Sequence, residues 1–474
     1  MPDSSIHAGV KLADVLPASI DHISGVSSST ALVSRKRIRL VPNTSATGNP
    51  GDTISFLIQD PGMLDLRSAV FHANVVVSGA TAGTVSMDDG PSWLNTLNTV
   101  VDGQNLESVS RVNKLTNMET YMTCNKALYD RALSFSGFWK YSSDIRPITA
   151  LASASTQTQF QDVSSNLVAA AAFYGTATTG WDIGLPLGLV SHVFRSEKLF
   201  PSRFANNFQI QFLLEQANVA IFGNGALAGT PTYQLTNCYL EIDSITLNPA
   251  FTAFLQDKIT DPSGDGLVLP FNTKVSSTGQ VAYNSGENSF VVSRSSKNLK
   301  RIALVVQPSV AIGAAAVTYP ECSTFPSAGF ANNGSVQLLV AGNYYPQFPQ
   351  KGSMAYWTAH SAYNGSPITD CDGGIVNYRT YQTTTNGAAP FTANTGSGVF
   401  SDSWIWAYDL SKLTGTSEPL ENDGVDSTGN AQVQITIKSG AKENGAAAES
   451  YTPLVELLGT KYLTISQSQL KIMG

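Results

Sequence analysis

Residues able to do chemistry are few in this chain and lie far apart. Its five histidines, His7, His22, His72, His192 and His360, stand singly, with no HxH or HExxH spacing to converge two imidazoles on a metal. Each is therefore expected to be structural. The four cysteines, Cys124, Cys238, Cys322 and Cys371, contain no CxxC pair, so neither a zinc site nor a disulfide framework is expected. Free thiols in an intracellular compartment follow. Two Asp-rich turns, DPSGDG (Asp261, Asp265) and DCDGG (Asp370, Asp372), lack the spaced oxygens and distal Glu of an EF-hand loop, which leaves turn chemistry. GNGALAG at 223 to 229 sits between strand patterns and opens no helix, which argues against a phosphate cradle. No GxSxG or P-loop occurs. No carboxylate pair is singled out, since any two distant Asp or Glu can meet in a fold. Trp404, Trp406 and Tyr408, with Tyr344 and Tyr345, could make a sugar platform, but packing in a core or interface is the preferred reading. No catalytic, cofactor-binding or metal-binding residue is expected.

Composition favours a structural role. At 474 residues the chain exceeds one core and implies two or three domains. Apolar residues make up 42% and charged ones only 13%, so the chain is not disordered, and so few charges suit burial against other subunits. The net charge of −7 divides evenly, with no basic tail of the kind a direct genome binder needs. The one basic cluster, Arg35-Lys36-Arg37 with Arg39, alternates with Ile38 and Leu40 and reads as the solvated face of an edge strand. The first residues carry acids where a signal peptide needs bases, and no window approaches the ~20 apolar residues of a membrane span.

The elements are mostly strands. Phe208, Ile210, Phe212 and Leu214 alternate with Gln209, Gln211, Leu213 and Glu215, the period of a half-buried strand. A soft loop is expected from Gly223 to Pro231, then a second run with Leu240, Ile242 and Ile245. Much the same pattern closes the chain at 429 to 472, where Val433, Ile435 and Ile437 alternate with Gln434, Thr436 and Lys438. Asp102-Gly103 is a hairpin signal. Residues 104 to 123 form the best helix candidate, with Leu106, Val109, Val112, Leu115, Met118, Tyr121 and Met122 on one stripe read as core. Turn-rich chain at 78 to 92 and an excursion loop at 125 to 200 are expected. The domain plan is an arm at 1–33, a first unit at 34–250, a linker at 251–275 and a second unit at 276–474. The fold class is all-β: two consecutive eight-stranded jelly rolls with long loops and a few short helices.

The ordered set LPLGLVSHVFRSEKLFPSRFANNFQIQFLLEQ, TYQLTNCYLEIDSITLNPAF, SFVVSRSSKNLKRIALVVQP, GNYYPQFPQKGSMAYW, SDSWIWAYDL and GNAQVQITIKSG to YLTISQSQLKI resembles the double jelly-roll major capsid proteins of the adenovirus and tailless-phage lineage. It is most similar to those of polinton-like viruses and virophages, over most of residues 35 to 472. The resemblance implies a homotrimer that imitates a hexagonal tile in an icosahedral shell around double-stranded DNA, located in the virion and assembled inside the host cell. It further implies neighbouring capsomers, penton and minor capsid proteins as partners, an internal membrane in some members, and no enzyme activity, no cofactor and no sequence-specific nucleic-acid contact. The arm at 1–33 would then tuck under the tile. Two other classes are open: a lectin-like or adhesin sandwich pair, and a glycoside-active enzyme on a jelly roll. A single jelly-roll coat of an RNA virus usually brings a basic arm, which is absent here.

Overall fold

The computed structural model describes residues 32–131, 133–138, 146–150, 158–160, 167–169, 181–205, 207–261, 266–278, 287–308, 322–323, 325, 335–364, 374–375, 404–411, 424–428, 433–438, 451–466 and 469–473. The arm at 1–33 therefore lies outside the described residues up to Leu32, as do His7, His22, Asp265, Asp370, Cys371 and Asp372.

Among the described residues, three sheets make two sandwiches. The first sheet runs β1 (Leu32–Leu40), β11 (Ile221–Leu247), β3 (Met63–Met87), with β9 (Trp181–Pro186) also on β3 and three short strands, β6 (Arg146–Ala150), β7 (Thr158–Phe160) and β8 (Leu167–Ala169), extending that side. The second is a nine-stranded sheet shared by both halves of the chain. Its first-half strands are β2 (Thr53–Ile58), β10 (Phe208–Leu214), β4 (Leu94–Val101) and β5 (Gln104–Ser110). Its second-half strands are β12 (Leu267–Thr278), β19 (Tyr451–Ser466), β14 (Leu299–Pro308) and β17 (Trp406–Asp409), with β20 (Gln469–Met473) on β19. The third sheet is β13 (Glu287–Val292), β18 (Val433–Lys438), β15 (Ser335–Val340), β16 (Asn343–Gln350). Setting aside β6 to β8 and β20, each half thus has four strands facing four, the strand count of a jelly roll.

Alternation explains which faces meet. In β10 Phe208, Ile210, Phe212 and Leu214 are buried while Gln209 and Gln211 are half-buried, and in β18 Val433, Ile435 and Ile437 repeat the arrangement. A one-residue slip would turn these rows to solvent, so the pattern fixes the register. Across the first sandwich Phe71 of β3 meets Phe212 of β10 at 5.0 Å and Phe56 of β2 at 6.1 Å between ring centroids. Across the second, Tyr345 of β16 meets Tyr408 of β17 at 6.2 Å, and the Trp406 indole N–H donates to Gln350 Oε1 at 2.9 Å.

Several expectations need correction. Residues 104 to 110 are not helical: they form β5, closing the hairpin that Asp102-Gly103 signalled, and the helix α1 spans Val112–Thr123. Leu106 and Val109 are buried in either geometry, so spacing alone could not separate strand from helix. The stretch from Gly223 to Pro231 is not a loop, and 78 to 87 is not turn. Both belong to a long antiparallel ribbon of β11 on β3, whose register breaks at Asn224/Ala228, Ala228/Gly229 and Gly229/Thr232. Main-chain pairing sustains it where small residues erase the apolar alternation that sequence reading depends on. The excursion at 125 to 200 contributes β9, which pairs with β3 from Val70 to Val75. The linker expected at 251 to 275 is itself structured and carries most of helix α2 (Pro249–Thr260) and the first part of β12. Asn248 caps α2 by accepting from Ala250 N, and Pro249 opens it. A further helix, α3 (Gly352–Asn364), packs against β17.

Candidate functional site

The candidate functional element is the junction of the two sandwiches, and α1 is its axis. Residues Val112 to Met122 are all buried, polar ones included, because the helix is enclosed by both halves. A helix buried all round must satisfy its polar side chains internally, since an unpaired buried group costs roughly 1–3 kcal/mol. The main chain alone does not close this seam. The β12–β5 ladder consists of one parallel pair, Val275 with Ser108. Side chains complete it: Ser110 N donates to Ser276 Oγ at 2.9 Å, and Lys461 Nζ donates to Leu106 O at 2.7 Å.

An ionic cluster stands at its centre. Glu119 of α1 receives Lys274 of β12 on Oε2, and on Oε1 Arg195 at 2.7 Å, His192 at 2.9 Å and Arg301 of β14 at 3.6 Å. Arg301 also reaches Glu456 of β19 at 3.0 Å, lies 4.1 Å from the centre of the Tyr363 ring on α3, and Lys274 lies 3.8 Å from the second Glu456 oxygen. Glu119, Lys274 and Glu456 are essentially inaccessible. Burial opposes the charge on Glu119, but Arg195, Lys274 and His192 outweigh it and hold this carboxyl well below the usual range. Burial and the neighbouring Arg195 depress His192. Its Nε2 lies 2.9 Å from Glu119 Oε1 and 3.2 Å from Arg195 Nη1. Glu107 of β5 faces the same seam. It accepts from Lys274 N at 2.7 Å and from the Ser191 hydroxyl, yet burial pushes its pKa up to about 7.

A second polar knot sits on the opposite face of the helix, where Asn117 and Tyr121 flank the level of Glu119. Asp88 accepts from Cys322 N at 2.6 Å, Ser323 N at 3.1 Å and Ser323 Oγ at 2.6 Å. Asp89 accepts from the Tyr121 and Tyr129 hydroxyls, the latter at 2.6 Å. Asn117 of α1 donates to Asp89 O at 2.9 Å and Cys322 O at 3.0 Å, so one side chain holds both halves. Gly90, at φ +62, lets the chain pass against Asn117 and Phe138 where a Cβ would collide with both.

This arrangement holds two sandwiches in one orientation. Among the described residues, no group of three or more His, Cys, Asp or Glu is placed to hold a metal ion. His72 stacks on Tyr239 at 4.7 Å, His192 serves the ionic cluster, and His360 lies on α3 beside Asn364. Cys124, Cys238 and Cys322 are buried free thiols. Asp261 follows the last turn of α2. Trp404 and Trp406 are 2% and 0% exposed, so they pack a core and offer no platform to a sugar. Arg35 and Arg37 lie on β1, at the edge of its sheet, and pair with Asp243 of β11 at 2.5 and 2.9 Å, while Arg39 stacks on Tyr239 at 3.6 Å. Sequence reading missed Glu107, Glu119, Lys274, Arg301 and Glu456. One signal was present: Glu456 is a lone carboxylate inside the apolar run Leu454-Val455-Glu456-Leu457-Leu458.

No family model and no curated protein matches this chain. Solved structures do. The Faustovirus major capsid protein aligns over 91% of this chain and 90% of its own, at TM-score 0.58 and 12% identity. PBCV-1 VP54, fitted into a reconstruction of the virophage Sputnik, aligns over 93% and 96% at TM-score 0.54 and 13% identity. The structure of the Sputnik virophage itself aligns over 94% and 89% at TM-score 0.53 and 12% identity. The chain has the fold of these double jelly-roll capsid proteins.

Proposed function

We propose that the chain is a viral major capsid protein, structural and without catalytic activity. Three copies form a pseudo-hexagonal tile, and tiles assemble into an icosahedral shell around double-stranded DNA. One observation carries the reading: two four-on-four sandwiches locked by a buried junction, in a fold shared end to end with capsid proteins. Rigid pairing of two similar modules is what lets three copies present six similar sides. The units are residues 34–250 and 276–474, joined through 251–275, with residues 1–33 as an arm. In the virion the partners are neighbouring capsomers, penton and minor capsid proteins.

Surface residues support the trimer. On the edge strand β16 Tyr344 and Phe348 are 54% and 59% exposed, and on α3 Met354 and Trp357 are 48% and 45% exposed. Apolar groups on an edge strand and the helix that follows it invite a second copy. Light scattering on the purified protein tests this. Trimers of three times 50.3 kDa are expected, and Phe348→Ser with Trp357→Ser should shift them toward monomer. A parent protein that stays monomeric at micromolar concentration contradicts the assignment.

A further inference from the structure

We infer that the exposed apolar end of α2 is a docking site for this chain's own N-terminal segment, residues 1–31. Helix α2 carries an apolar stripe at the i, i+4, i+8 spacing of one helix face: Phe251, Leu255 and Ile259. The body covers only part of it. Leu255 and Ile259 are buried, whereas Phe251 and its neighbour Phe254 are 42% and 54% exposed, with their rings 6.1 Å apart. The uncovered part is the N-terminal end of the helix, which directly follows β11.

Leu32, where the described chain begins, is the register partner of Leu247, two residues before α2 opens at Pro249. The described chain therefore begins against the end of β11 from which α2 opens. Val33, at the irregularity where β1 starts, is another exposed apolar residue, at 61%. Those 31 residues carry Leu12, Val15, Leu16, Ile20 and Ile23 among small polar residues, apolar groups of the kind that would cover two phenyl rings. Reach is no constraint, since a chain spans roughly 3.3 Å or more per residue when extended. A lipid surface fits less well, because α2 offers one cation, Lys258, next to Asp257 and ahead of Asp261.

The test uses the full chain in its native assembly and does not depend on the capsid assignment. Lys11 is the only Lys or Arg before Arg35, so trypsin can cut the segment at one position. Cleavage after Lys11 is expected to be slow in the parent. It should become roughly 10- to 100-fold faster in Phe251→Ser/Phe254→Ser, as the open state gains population. Leu12→Ser/Leu16→Ser, which leaves the folded body untouched, should release the same site. A photoreactive phenylalanine analogue at position 254 should crosslink to a peptide from residues 1–31, within one chain when isotope-labelled and unlabelled copies are mixed. Equal cleavage rates in parent and variants, a crosslink to another copy's body or to added vesicles, or no crosslink overturns the proposal.

Discussion

Lys274→Met probes the junction at its centre. Lys274 is 1% exposed and places its ammonium on Glu119, 3.8 Å from Glu456. At an effective dielectric near 20, each contact of that length is worth about 4 kcal/mol of attraction, largely offset by the cost of burying the charges. Met fills similar space but leaves three carboxylates, Glu107, Glu119 and Glu456, with one fewer buried cation. Removing one partner of a buried pair costs about 3–5 kcal/mol. Unfolding entropy near 2.1 cal/mol/K per residue, over 474 residues, makes this a fall in Tm of about 3–5 °C if the chain unfolds as one unit. Scanning calorimetry at fixed protein concentration reads it, and a single transition should broaden or split as the halves uncouple. Adding Glu119→Met should recover about 1–3 kcal/mol relative to additivity, because Arg301 keeps Glu456 and Arg195 is 39% exposed to solvent. A change in Tm below about 1 °C for Lys274→Met, or strict additivity in the double variant, would refute the reasoning.

Glu107→Gln should change the pH dependence of stability. The folded pKa of about 7 lies above the 4.5 of an ordinary Glu, so the native state holds a proton that the unfolded chain releases across that window. Parent stability therefore falls as pH rises from 4.5 to 7, by about 3 kcal/mol, and is level above it. Urea midpoints should show the variant more stable than the parent at pH 8 and no better at pH 4.5. Asp88→Asn turns an amide donor toward groups that already donate, Cys322 N, Ser323 N and Ser323 Oγ. It should cost about 2–3 kcal/mol in the same assay and raise proteolysis near residue 322. Gly90→Ala should lower soluble yield and cost more than about 2 kcal/mol, since φ is +62 and the added methyl meets Asn117 and Phe138.

The strands that build the sandwiches were legible wherever one face is buried and the other is not. Phe208 to Leu214 and Val433 to Lys438 alternate because a pleated strand exposes every second residue. That signal vanishes in the ribbon from Gly223 to Pro231, whose small residues carry no apolar alternation although their main chain pairs with β3. Helix α2 left its cap, Asn248-Pro249, in the sequence, yet its short apolar stripe was outweighed by the Pro, Gly and Asp that follow. The junction left one trace in the sequence, Glu456 inside its apolar run. Glu119, Lys274 and Glu456 are 155 and 182 residues apart in succession, and only the packing of two sandwiches turns three surface-type residues into a buried cluster.

Electron microscopy of the purified protein tests the central claim most directly. The account predicts uniform particles with a hexagonal outline, each of three chains, six sandwich densities around a threefold axis and a mass near three times 50.3 kDa. Single two-lobed particles of one chain at micromolar concentration would contradict it.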